Sequence, residues 1–168
     1  MYQGGSLARI DLRNGYQSSI QPVQQDTVPL RFAWNAAIAA DPFHSDGLYF
    51  GSQMLHHSVN RGGTWTTLSG DLTTNDPEKL KQAESGGLTI DATQAENHCT
   101  ILCIEPNPLR QGELWVGTDD GRIQHSLDGG ATWIDHAIDI KRFPAGAWIP
   151  QICVSPHDPD EVYVVVND

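Results

Sequence analysis

One eight-residue pattern occurs twice in this chain, and it limits the possible folds more than any other feature. HSVNRGGTW (57–65) and HSLDGGATW (125–133) both contain Ser, any residue, Asn or Asp, any residue, Gly, any residue, Thr, Trp. Ser58, Asn60, Gly62, Thr64 and Trp65 recur as Ser126, Asp128, Gly130, Thr132 and Trp133, each displaced by 68 residues. Self-similarity at such a period belongs to chains built from stacked or circularly arranged units. The match extends upstream, where LYFG (48–51) corresponds to LWVG (114–117), preceded by ADP (40–42) and IEP (104–106). A third copy opens in VSPHDPDEVYVVV, with Pro156 and Tyr163 spaced as Pro42 and Tyr49 are. A fourth lies at the start, where Tyr2 and Gly4 are spaced like Tyr49 and Gly51, and Asp11 stands where Ser58 would be.

Each complete unit reads as four short strands, for example WNAAIAA (34–40), LYFGSQ (48–53), LHHSV (55–59) and TWTTLS (64–69), rich in β-branched and aromatic residues and separated by turn residues. Four antiparallel strands at a fixed interval predict an all-β fold, a segment of a β-propeller, because radial repetition buries both faces of every sheet. The expected organisation is the end of one blade (2–25), a whole blade (31–70), an insertion (71–95), a second whole blade (96–138) and the start of another (147–168). The first partial blade should hold strands two to four and the last strands one and two, leaving a further part of the ring, or another copy of the chain, as a partner. One helical stretch is expected over 77–85, with Asp76 as cap and Gly86–Gly87 as stop. The repeated pattern fits the turn between third and fourth strands. Asn60 or Asp128 folds back onto backbone N–H groups, glycine accepts positive φ, and the tryptophan packs between sheets while serine and threonine pair across the hairpin. These ten residues read as structural rather than catalytic.

Charge removes several function classes. The chain carries 21 acidic and 10 basic residues, a net of −11, which repels nucleic-acid phosphates and anionic lipid. No run approaches the ~20 apolar residues of a spanning helix, and no signal peptide opens the chain. Cys99, Cys103 and Cys153 form no CxxC pair. On one strand Cys99 and Cys103 would stand about 13 Å apart, too far for a disulfide. They read as buried thiols, with neither a metal nor another cofactor called for.

These residues carry a family resemblance. SVNRGGTW and SLDGGATW resemble Asp-boxes, the bacterial neuraminidase (BNR) repeats of sialidases, xyloglucanases and the sortilin ectodomain. LSGDLTTNDPEK (68–79), SGGLTI (85–90), AENHCTI (95–101) and LWVGTDDGRIQHSLDGGATW (114–133) resemble the large bacterial sortilin-like propeller proteins often labelled putative glycosyl hydrolases. Asn60 stands where the box usually has Asp. The resemblance implies a longer parent protein, exported or at the cell surface.

Ligands of propellers meet the mouth of the central channel. Trp34, His98 and Trp148 each stand eight residues before a blade's proline and are expected to be neighbours, facing either the channel or, as the favoured reading, the core between blades, with Arg31, Asp91 and Glu96 as more exposed companions. These six are the candidate ligand-binding residues, and Asp91 with Glu96 is the best carboxylate pair for acid–base chemistry. The long connection 70–94 is a candidate binding or lid element, or else a solvated insertion that seals one side of the ring. TDDG (118–121) reads as a hairpin turn, with calcium binding by Asp119 and Asp120 as the less favoured alternative. The expected function is a non-catalytic binding or scaffold segment recognising protein, peptide or glycan. The alternative is part of a glycoside hydrolase whose acid–base site is completed by other blades.

Overall fold

The computed structural model describes residues 4–23, 28–81 and 97–167. Twelve strands among them form four antiparallel sheets, and no helix among them is long and apolar enough to cross a membrane. The first sheet is the hairpin β1 (Ala8–Ile10) and β2 (Gln17–Ser19). The second runs β3 (Ile38–Ala40), β4 (Leu48–Gly51), β5 (Leu55–Ser58), β6 (Thr66–Thr67). The third runs β7 (Ile101–Pro106), β8 (Leu114–Thr118), β9 (Ile123–Ser126), β10 (Ile134–Asp135), and the last pairs β11 (Trp148–Val154) with β12 (Val162–Asn167). The all-β architecture of four-stranded antiparallel blades is the one expected from the repeat.

Register shows which residues are equivalent. Tyr49 lies opposite His57, and Trp115 opposite His125. Backbone bonds from Ile20 N to Leu7 O, Leu68 N to Leu55 O and His136 N to Ile123 O close the same corner of three sheets. The hairpin β1–β2 therefore occupies the third and fourth strand positions of a blade, with Asp11 in its turn.

Glycines at the end of the second strand let neighbouring sheets approach. A Cβ added at Gly51 would stand 2.8 Å from Ile101, and one at Gly117 2.6 Å from Ile149. At Gly5 it would run into the Phe32 ring, so Gly5, not the expected Gly4, is the equivalent of Gly51. Phe32, Ile101 and Ile149 are each buried in these notches, where two apolar clusters form between sheets. Ile101, Ile104 and Leu114 pack with Tyr49 and Leu55 in one, and Ile149 and Ile152 with Ile123 in the other.

Several details differ from expectation. The fourth strands are only two residues long, and Trp65 and Trp133 precede them, because the box turn extends through the tryptophan. Trp34 and Asn35 form a turn, so the first strand of that blade starts at Ile38. Cys99 is not on the strand with Cys103: it has φ of 58° and lies before β7. Cys99 is buried, Cys103 half-buried and Cys153 exposed, so the expectation of three buried thiols holds in full only for Cys99. Asp76 does cap a turn, accepting from Glu78 N at 2.9 Å, but Pro77–Leu80 forms a turn rather than a helix, and residues 82–85 of the expected helix lie outside the described residues. A short 3-10 turn at Ala137–Asp139 was not expected.

Gly117→Ala should cost about 1–3 kcal/mol through overpacking, read as a lowered Tm in thermal unfolding. Gly70→Ala, where an added Cβ meets nothing within 4 Å, should leave Tm unchanged. Equal melting of both variants would refute the notch as the determinant of sheet spacing.

Candidate functional site at the strand-entry end

In an antiparallel sheet of sequential strands, the start of the first strand, the turn between the second and third, and the exit of the fourth share one end. The entry segments to β3 and β7, the β4–β5 and β8–β9 turns and the linker after β6 meet there. The box turns lie at the opposite end.

A repeated clasp organises the entry end. Gln53 Oε1 accepts from Arg31 N at 2.8 Å while its Nε2 donates to Pro29 O at 2.9 Å. Asp119 holds the equivalent entry segment one unit later by acceptance alone, from Thr100 N at 2.8 Å and Thr100 Oγ1 at 2.7 Å. Each clasp pins the residue immediately before Phe32 or Ile101, which fills the glycine notch. The Arg31 guanidinium ties the exit of one unit to the entry of the next, bonding Asp71 at 2.6 Å and Cys99 O at 3.4 Å. Asp120 accepts from Thr118 at 2.6 Å, Thr74 N at 2.7 Å and Thr74 Oγ1 at 2.6 Å, fastening the linker to the turn.

The two adjacent acids titrate in opposite directions. Burial pushes Asp119 up to about 6, only partly offset by the bonds from Thr100. Burial also opposes charge on Asp120, but donors from Thr118 and Thr74 outweigh it and hold that carboxyl below its ordinary value. His98, 3.9 Å from Asp119, is shifted down by burial and by Lys79. Burial raises the Cys99 and Cys103 thiols to about 11, so both are protonated at neutral pH.

The predicted ligand residues do not converge as their spacing suggested. Relative to the notch residues Phe32, Ile101 and Ile149, Trp34 stands after, His98 well before and Trp148 immediately before, so they are not equivalent positions. Uneven entry segments and the register shifts in β7 and β11 explain why equal spacing to proline misleads. Trp34 is exposed, His98 buried, and Trp148 lines a shallow cavity of about 290 Å³ with Gly146, Ala147 and Asn167. Arg31, expected to be wet, keeps only 16% of its side chain exposed. Asp91 and Glu96 lie outside the described residues, as does most of the connection 70–94. A cavity of about 530 Å³ beside β6, bordered by Trp65, His56 and Met54, contains none of the six. Asp119 and Asp120 are satisfied by threonine donors, and no group of three or more metal-ligating side chains occurs among the described residues.

The two repeated turns show the expected fold-back of Asn60 and Asp128 onto backbone N–H, but the serine oxygens bond glycine N–H instead of pairing with threonine. Ser58 Oγ accepts from Gly62 N at 2.9 Å and Asn60 Oδ1 from Thr64 N at 2.8 Å, matched by Ser126 with Gly130 N at 2.9 Å and Asp128 with Thr132 N at 2.8 Å. Only the last link changes: Asn60 donates to Thr64 Oγ1, whereas Asp128 accepts from Thr132 Oγ1. Bonds from Thr132 take the Asp128 carboxyl down to about 2. Trp65 donates to Ile20 O on the preceding sheet, and Trp133 packs against the cluster containing Leu72.

Sequence reasoning missed a polar cluster beside each box. His57 stacks on Tyr49 and bonds Asp41 at 2.9 Å, with His44 on the same oxygen. His125 stacks on Trp115 and bonds Glu113 at 3.1 Å. The carboxylate changes place: Asn107 occupies the position of Asp41, and Glu113 that of Gly47, as shown by the equivalent bonds Asp41 N to Gly47 O and Asn107 N to Glu113 O. The available signal was the histidine preceding the serine in both boxes.

Fold and site together define a β-propeller segment. The chain is similar in structure to an ancestral GH74 enzyme, with TM-score 0.55 and 15% identity, covering 84% of this chain and 14% of that one. It is similar to YCF48 from Cyanidioschyzon merolae, with TM-score 0.54 and 14% identity, covering 99% of this chain and 43% of that one. The chain thus spans less than half the length of either. No family model matches it, and no curated protein does.

Asp119 gives a signed pH prediction. Its folded pKa, about 6, lies above the ordinary 3.8, so the folded state takes up a proton that the unfolded state has released between those values. Its contribution is fully present below 3.8 and is lost as pH rises through about 6. Chemical denaturation from pH 3.5 to 7 should show Asp119→Asn losing less stability than the parent over this window. Parallel curves would refute the assignment.

Proposed function

We propose that this chain is a binding or scaffold segment of a β-propeller, recognising a protein, peptide or glycan at the strand-entry end without transforming it. The observation that supports this reading is the engagement of Asp119, Asp120, Asp71 and Arg31 by partners in their own chain, where they join one unit to the next. Groups used in this way position backbone. We further propose that the two box turns are Asp-boxes and that the chain is kin to the sortilin-like propeller proteins. Their shared bond from serine to the amide or acid supports that narrower assignment.

The face of β11 and β12 that carries Tyr163 and Val165 is exposed, and we assign it to a further blade. β12 carries Val165 where β4 and β8 carry Gly51 and Gly117, as the common pairing of Tyr163, Tyr49 and Trp115 with the preceding strand fixes. A residue as large as Phe32 or Ile101 does not fit over valine there. That favours a blade entering with a small residue over a second copy of this chain.

The test is turnover of xyloglucan oligosaccharides, sialosides and aryl glycosides by the purified chain, together with calorimetric titration of the same sugars and of peptides. No turnover is expected, with binding weakened by Trp34→Ala or Trp148→Ala. Turnover abolished by Asp91→Asn or Glu96→Gln would replace this reading with the glycosidase one. Absence of binding to every sugar and peptide would remove the ligand-recognition part.

A further inference from the structure

The two box-preceding histidines differ at their second ring nitrogen. His57 and His44 both direct a nitrogen at Asp41 Oδ2, each at 2.9 Å. In the next unit only Nε2 of His125 meets the carboxylate, and Nδ1 faces His136 Nε2 at 3.2 Å. The sheet brings this about: β9 pairs His125 with Ile134, so His136, two residues further, projects on the same face at the diagonal position. Trp115 stacks on both imidazoles, with ring centroids at 3.8 Å from His125 and 5.2 Å from His136.

We propose that His125 Nδ1 and His136 Nε2 together bind a divalent transition-metal ion with affinity for imidazole, zinc(II) or copper(II), oriented by Glu113. Two imidazole nitrogens on one tetrahedral ion, each at ~2.0–2.1 Å, stand about 3.3 Å apart. The observed 3.2 Å therefore needs almost no rearrangement. Glu113 supplies the outer contact that metal-bound histidines use to fix the ring proton and orientation. Its side chain is 5% exposed and is itself held by Asn107 at 2.8 Å and Trp115 at 3.2 Å. With the His125 proton fixed on Nε2, Nδ1 presents its lone pair.

Coordination requires His136 to carry its proton on Nδ1. Both facing nitrogens then donate electron pairs and no net proton is released. The Glu113 carboxylate and a net charge of −11 favour a dication. The remaining positions belong to water or an exchangeable ligand, since no third His, Cys, Asp or Glu joins the pair among the described residues.

Calorimetric titration of the full chain with zinc(II) and copper(II) at pH 7 tests this. One ion per chain is expected, bound at least tenfold more weakly by His136→Gln and with unchanged affinity by His157→Gln, an exposed histidine outside the pair. Electron paramagnetic resonance of the copper-loaded parent should show coupling to two imidazole nitrogens, a readout that needs no variant to fold. No uptake, a spectrum without two nitrogens, or equal affinity in His136→Gln would overturn the proposal. The last result would move the ion elsewhere, the exposed Cys153 thiol being one destination.

Discussion

The rest of the structure depends on the insertion of one apolar side chain per unit into a notch where the preceding sheet has no Cβ. Phe32 fits over Gly5, Ile101 over Gly51 and Ile149 over Gly117. Interiors pack near crystal density, so a gap or an extra methyl at such a point is transmitted to the whole seam. The notch sets how closely two sheets stand, and hence whether Tyr49 can reach Ile104 and Leu114 in the same cluster. Hydrogen bonding sits around this seam. The Gln53 and Asp119 clasps hold the residue just before the inserted one, restricting the approach of the entering strand.

The repeats conserve shape while exchanging chemistry. A glutamine clasp in one unit is an aspartate in the next, an amide in one box turn is a carboxylate in the other, and the buried acid moves from the end of one strand to the start of its neighbour. In each case the number of donors and acceptors presented to backbone stays nearly matched, which a buried polar site demands. Their electrostatics do not stay matched. Asp119 becomes an acid shifted upward where Gln53 does not titrate, and Asp128 becomes one shifted downward where Asn60 does not titrate. Chemical individuality therefore enters at equivalent places in the fold, and the unit containing Asp119, Glu113, His125 and His136 holds more of it than its neighbour.

What the sequence determined by itself was the repeated unit. A pattern of Ser, Asn or Asp, Gly, Thr and Trp specifies a turn through local bonds, and these form wherever the residues occur in that order. Alternating apolar strands between such turns then leave few architectures besides a stack of small antiparallel sheets. For that reason the strand order and the fold-back of Asn60 and Asp128 onto backbone N–H were legible, whereas the serine that accepts from glycine four residues later was not read from the sequence.

Only the tertiary structure decided what stands beside what. Trp34, His98 and Trp148 share a spacing to proline but not a place, because bulges and unequal entry segments absorb residues without changing the sequence count. Arg31 looked available and is instead engaged by Asp71, a partner 40 residues away. The histidine clusters were invisible because their carboxylates come from different positions in the two units, and because His136 reaches His125 only by crossing from one strand to the next. Local bonds can be read along a chain, whereas contacts made across strands and between sheets depend on register and on how closely the glycines allow those sheets to pack.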